Sequence, residues 1–296
     1  MNHFTIRDIE NLSGIKAHTL RIWEQRYQFN FCQRKESNHR FYTNDDLKYI
    51  LRVAYLYHNG FRISKLAGMQ ATQIKELAST HYVGANNNLF INQLTEACLD
   101  FDTATFEAVL NKTVTSMGLE KAITEIIYPF MQKIGMLWLT NHVLPAQEHF
   151  SSALISKRIL LSINALEAQN LHPTVKIVLL APVGEAHEIP LLFIQYLLKR
   201  NGYHPILLGA DIKGDVLEYY CNHQPVTHIW LHIITNFTGQ TTTEYLQSLS
   251  KIFPNKKIIT TGPAISNIED LPNNIIFIKS LQETIAACKE INKLSN

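Results

Sequence analysis

The hydrophobic period of this chain changes near residue 174, and that change sets its architecture in outline. Downstream of it, short apolar runs alternate with helical ones: VKIVLLAP then IPLLFIQYLLKRNG, HPILLG then VLEYYCNH, HIWLHIIT then TEYLQSLSKIF. KKIITTG, IIFI and LQETIAACKEIN complete the series. Strand and helix alternating at these lengths predict a doubly wound parallel sheet of about five strands, covered on both faces, in residues 174–296. Ligands of such sheets bind at the carboxyl ends of the strands, near a reversal of strand order. The loops of interest are therefore 181–190, 208–214, 235–239 and 261–267.

Residues 90–171 carry no strand signal. Four amphipathic runs, FINQLTEACL, TATFEAVLNKTVTSM, LEKAITEIIYPFMQKIGMLWL and PAQEHFSSALISKRILLSINALEAQ, predict a four-helix bundle. Pro129 is expected to kink or break the third run, and Asn141 to Pro145 to turn into the fourth. Between this bundle and the N-terminal segment, STHYVGANNNL (79–89) reads as a polar linker.

Residues 1–78 read as a helix-turn-helix with a basic wing: FTIRDIENLSGIKAHTLRIWEQRY, then RKESNHRFYTNDDLKYI. Phe4 to Leu12 has helical spacing, Ser13-Gly14 makes the turn, and Ala17 to Tyr27 forms a second helix. That helix displays His18, Arg21 and Arg26 beside an expected buried stripe of Leu20, Ile22 and Trp23. A third begins near Asn44-Asp45. Such a second helix suits the major groove, where arginine pairs with base edges and phosphates. The formal charge of +2 conceals +5 on residues 1–79 and −3 on the remainder. The positive charge thus lies on the segment expected to meet phosphates, although +5 is mild on its own.

The chain is long enough for two or three domains, each with its own core. No run reaches the roughly 18–20 apolar residues of a membrane helix, and the N-terminus lacks the regions of a signal peptide; a cytoplasmic protein is expected. Cys32, Cys98, Cys221 and Cys288 are scattered, which argues against disulfide scaffolds and zinc sites. His142, Glu148 and His149 do not change this, because no helical spacing of three or four joins two histidines.

The segment Phe4 to Leu66 resembles the winged-helix domain of MerR-family regulators. The match runs from Thr5 to Tyr27 and includes the wing Asn38-His39-Arg40-Phe41-Tyr42. The resemblance implies DNA contacts from His18, Thr19, Arg21, Arg26, Arg40 and Tyr42, mostly to the backbone. It also implies a double-stranded operator with an inverted repeat. Residues 66–89 offer a short helix and a linker where such regulators usually have a long dimerisation helix. Self-association as a dimer or tetramer is therefore expected through the later domains.

Trp138, followed after nine intervening residues by Glu148-His149, and Gly184-Glu185-Ala186-His187-Glu188-Ile189 past the first strand together resemble the cobalamin-binding unit of CarA/CarH-type repressors. The order of winged helix, bundle and doubly wound sheet is also theirs. The resemblance implies His187 as the lower axial ligand of cobalt and Glu185 as the acid holding its other nitrogen. It further implies Trp138, Glu148 and His149 at the upper face, and Thr235 and Gly262 near the nucleotide tail. An imidazole backed by a carboxylate is a reasonable cobalt ligand on chemical grounds. The cofactor implied is adenosylcobalamin or methylcobalamin. Ordinary alternatives stand beside these readings: Trp138 as bundle core, His149 as a surface histidine.

Three positions depart from the pattern. Pro190 and Pro263 replace glycines expected near the tail, and proline fixes φ and removes a donor. Leu139 stands where light-responsive members have a second cobalt-capturing histidine. The leading expectation is a DNA-binding transcriptional regulator, a repressor, whose oligomeric state or operator affinity is controlled by bound cobalamin, with light as a further input that the resemblance implies. The alternative is a MerR-type regulator whose sheet domain has lost cobalamin and binds another ligand or a partner protein. A cobalamin enzyme is disfavoured because no substrate domain accompanies the carrier.

Overall fold

The computed structural model describes residues 4–29, 32–34, 40–80, 87–139, 143–167, 171–234, 241–265 and 272–294, without the side chains of residues 33, 34, 79, 80, 136, 138, 139, 265 and 292. The chain forms two compact units, Met1–Ile155 and Ser156–Asn296.

In the first unit, α1 (Ile6–Ser13) begins at a capping box. The Asp8 carboxyl accepts from the Thr5 amide at 2.7 Å, and the Thr5 hydroxyl accepts from the Asp8 amide at 3.4 Å. Gly14, left-handed at φ 71°, ends α1 and turns the chain into α2 (Ala17–Tyr27). The base of the wing is an antiparallel pair, β1 (Gln33–Arg34) and β2 (Arg40–Phe41). Helix α3 (Asn44–His58) is capped by Thr43, one residue ahead of the expected Asn44-Asp45, because Thr43 completes a second capping box with Asp46.

Helices α4 (Ile63–Ala67), α5 (Ala71–Thr80) and α6 (Asn87–Leu99) follow. The ends of α5 and α6 thus occupy residues 79–80 and 87–89 of the expected linker, and residues 81–86 lie outside the described residues. Helix α3 packs against α1, α5 and α6. Lys48 donates to both oxygens of Asp100 at 2.6 and 2.8 Å. Arg52 grips Glu96 in bidentate fashion, at 3.0 and 2.5 Å. The winged segment and the first bundle helix therefore share one packed body.

Helix α7 (Thr103–Ala122) contains Gly118 at φ 80°, ψ 159°, which separates the second and third amphipathic runs. A single π-helical turn, Ile123–Ile127, leads into α8 (Tyr128–Leu139). The turn meets Pro129: a proline has no N–H, and its ring opposes the carbonyl four residues back, so a widened turn relieves both defects without ending the helix. Helix α9 (Pro145–Asn164) is fixed at its start by the buried Gln147. Its side chain accepts from the Leu144 amide and donates to the Leu99 carbonyl, each at 2.9 Å.

The second unit holds β3 (Ile177–Pro182), α10 (Ile189–Arg200), β4 (Ile206–Ile212), α11 (Gly214–His223) and β5 (His228–His232). It continues with α12 (Thr242–Ile252), β6 (Lys257–Thr261), β7 (Ile275–Ile278) and α13 (Leu281–Ala287). The five strands are parallel in the order β4-β3-β5-β6-β7. All six residues of β3 are buried, as expected of a central strand covered on both faces. The chain passes from β3 to β4 on one side, then crosses to β5 on the other. The reversal of strand order falls beside β3, at the loop carrying Glu185 and His187.

Candidate functional site: a groove helix and a histidine at the sheet switch point

Helix α2 exposes His18, Arg21, Ile22, Gln25 and Arg26, and buries Leu20 and Trp23. Ile22 corrects the expected stripe, since it is 47% exposed. At about 100° per residue it sits some 200° around the helix from Leu20, so it cannot share the buried face. Thr19 is half-buried, its hydroxyl 3.4 Å from His18 Nε2. The Arg26 guanidinium lies 5.6 Å over the Tyr27 ring. Arg40 is half-buried and donates from Nε to Glu24 at 3.0 Å.

Tyr42 is a second correction. It is fully buried, and its backbone pairs with Phe4 in both directions at 2.8 and 3.0 Å. Its hydroxyl faces Glu24 at 3.5 Å, and burial raises the phenol pKa. Tyr42 is core of the wing and has no surface to offer a nucleic acid.

Of the bundle candidates, Trp138 belongs to α8 but its side chain lies outside the described residues. Glu148 is half-buried in the first turn of α9 and accepts from the Ser152 hydroxyl at 2.5 Å; His149 is exposed, with Nδ1 3.2 Å from Glu148. His142 and Thr235 lie outside the described residues.

At the sheet, Glu185 is 1% exposed and joins three strand ends. Its carboxyl accepts from the Ile234 amide beyond β5 at 2.7 Å and from the His187 amide at 3.2 Å, and it pairs with His187 Nδ1. Its carbonyl accepts from the Asp211 amide on β4 at 3.0 Å. Asp211 is left-handed at φ 58°, a conformation that a short polar side chain tolerates, and its carboxylate accepts from the Gly184 amide at 2.8 Å. The His187 side chain is half-exposed, so a buried acid holds one nitrogen of a ring that reaches solvent.

His232 closes β5 beside this pair. Its Nδ1 lies 2.9 Å from the Thr261 hydroxyl, and burial pushes its pKa down to about 4, with Glu185 opposing the shift and His187 adding to it. Neither His232 nor Asp211 emerged from the sequence; a histidine ending the apolar run HIWLH and an aspartate ending ILLGAD were the available signals. Gly262 stands at φ 111°, where a Cβ would lie 2.2 Å from the Ile233 carbonyl oxygen. Glycine is needed there to let the ends of β5 and β6 approach.

The departures from the sequence pattern fit this fold. Pro190 lies in the first turn of α10, where no helical N–H is required, and the exposed Pro263 opens a 3-10 turn. The donor set also suits a corrinoid: one half-exposed imidazole with its second nitrogen held. Among the described residues, no group of three or more His, Cys, Asp or Glu side chains could hold a metal ion by itself.

Residues 4–73 match the family model of the MerR HTH family regulatory proteins, and residues 90–160 that of the B12 binding domain. The HTH-type transcriptional repressor CarA of Myxococcus xanthus is 30% identical over 73% of this chain and 71% of its own length. The chain belongs to the CarA repressor family. CarH of the same organism, another HTH-type transcriptional repressor, is 23% identical over 72% of this chain and 73% of its own. The monomethylamine corrinoid protein of Methanosarcina barkeri shares the fold over 69% of this chain and 99% of its own, with TM-score 0.56 and 16% identity. Among the described residues, no helix of this CarA-family chain is long and apolar enough to cross a membrane.

Proposed function

We propose that this CarA-family protein is a DNA-binding repressor whose hold on its operator is set by a cobalamin ligated through His187. The observation that carries the reading is the buried Glu185 carboxyl engaging Nδ1 of a half-exposed imidazole at the switch point of the sheet. That pairing orients the ring and would raise the basicity of the imidazole as a cobalt ligand. Cobalamin, when bound, would supply a metal that takes a nitrogen ligand from the protein.

Around that centre Glu185 orients the ring, Asp211 holds the loop, and Gly262 and Thr235 serve the tail. Trp138, Glu148 and His149 would help to hold the cofactor, on the resemblance to CarA/CarH-type regulators. On DNA, His18, Thr19, Arg21 and Arg26 of α2 enter the groove, and Arg40, braced by Glu24, meets the backbone. The protein binds an inverted repeat as a self-associated species, in the cytoplasm.

The test joins two measurements. Purified protein titrated with adenosylcobalamin and methylcobalamin shows a histidine-ligated absorbance spectrum that His187→Ala loses. Mobility shift on duplexes selected by the protein changes on adding the corrinoid, and Arg21→Ala lowers the salt slope by about one. Failure to take up either corrinoid overturns the cofactor reading; DNA affinity indifferent to Arg21→Ala overturns the groove assignment.

A further inference from the structure

The exposed residues of α2, His18, Arg21, Ile22, Gln25 and Arg26, fall at i, i+3, i+4, i+7 and i+8, which is a single helix face. Four of the five are polar or basic, and Ile22 is the apolar one, 47% exposed between Arg21 and the next turn. Nothing in folding favours it there. A β-branched residue is a poorer helix former than alanine, and an exposed position contributes no core contact. Its branching does fix χ1, so the side chain stands in one orientation before any partner arrives.

We propose that Ile22 reads the C5-methyl of a thymine in the major groove and is a specificity-determining residue of α2. The inference rests on the reading of α2 as the groove helix. In the major groove thymine alone presents a methyl, beside its O4 acceptor, whereas guanine and adenine present donors and acceptors and cytosine an amino group beside a bare C5–H. A sec-butyl group laid on those edges covers a polar atom without giving it a partner, which costs binding. Attraction to thymine, a weaker contact with cytosine and rejection of the purines arise from one side chain. Arg21 and Arg26 flank it with groups suited to guanine edges and phosphates, and Gln25 with one suited to adenine.

The experiment uses the full chain, with and without adenosylcobalamin. Duplexes are enriched from a random pool, and each thymine of an enriched site is replaced singly by uracil, which removes only the methyl. We expect one thymine per half-site whose methyl loss weakens binding about fourfold, the equivalent of one methyl's worth of burial. In Ile22→Ala that sensitivity vanishes while the melting temperature and salt slope stay unchanged; Ile22→Val, which keeps a branched methyl pair, retains it. Uracil sensitivity that is absent in the wild type, or that persists in Ile22→Ala, overturns the proposal and leaves groove binding by α2 intact. If no duplex is enriched, the groove reading itself fails and takes the proposal with it.

Discussion

Glu185→Ala removes the side chain that ties three strand ends together, and its cost can be worked from the contacts. The lost carboxyl leaves the Ile234 amide, bonded at 2.7 Å, without its acceptor, and frees the His187 amide and ring. A stranded buried donor costs about 1–3 kcal/mol, and the His187 amide, nearer solvent, adds less. The sum is about 2–4 kcal/mol. A unit the size of Ser156–Asn296 unfolds with roughly 0.3 kcal/mol/K of entropy, so its melting point falls by about 7–13 °C. Glu185→Gln keeps an oxygen for Ile234 but turns an NH2 toward the His187 amide, and loses about half as much. Calorimetry without corrinoid reads these shifts. Methylcobalamin titration reads the second consequence, a 10–100-fold loss of affinity when the ligand imidazole loses its support. His187→Ala, at a half-exposed position, abolishes ligation with little change in melting. A Glu185→Ala protein melting within about 2 °C of wild type refutes the reasoning, because water would then satisfy the loop amides as well as the carboxyl does.

Gly262→Ala places a Cβ 2.2 Å from the Ile233 carbonyl oxygen at φ 111°; a loss of about 3 kcal/mol or more is expected in urea unfolding, with or without corrinoid. His228 is buried, and burial followed by the nearby Lys257 pushes its pKa down to about 4. The unfolded chain takes up that proton near pH 6.5 and the folded chain only near 4. Stability is therefore full above about pH 6.5 and falls toward pH 4, with a slope of up to about 1.4 kcal/mol per unit that His228→Leu removes. An unchanged slope between pH 7 and 5 in that variant would refute the assignment. Arg52→Ala leaves the Glu96 carboxylate without its bidentate partner and destabilises the first unit by about 1–3 kcal/mol, whereas Arg52→Met with Glu96→Leu recovers most of the loss in a thermal melt.

The elements of this fold were legible wherever one period ran long enough. Five strands and the helices between them follow from apolar runs of four to eight residues set against longer amphipathic ones. The turn at Gly14 and the break ahead of Leu119 follow from glycine and from a lapse in the pattern. What depended on three-dimensional phase was not legible. Ile22 lies between Leu20 and Trp23 of the buried stripe in sequence, yet the helical angle turns it to solvent. Tyr42 lies in a wing motif that suggests surface, yet its pairing with Phe4 carries it inside. At the candidate site the Glu-x-His motif marked the imidazole and its acid. Asp211, Ile234 and His232 come from strands 26 to 49 positions away, and only the crossover from β4 to β5 brings them to the same loop.

The packing of Met1–Ile155 bears on how any ligand signal reaches DNA. Trp23 of α2 meets the Tyr57 ring of α3 edge-on, with centroids 4.9 Å apart, and α3 is joined to the bundle through Lys48–Asp100 and Arg52–Glu96, with all but Asp100 largely buried. Charge-assisted pairs of that kind are costly to separate, because each partner left alone is a poorly hydrated charge. A change that displaces α6 carries α3 with it, and through α3 it carries the face bearing Arg21 and Ile22. Within this unit, weakening Arg52–Glu96 then uncouples the winged segment from the bundle.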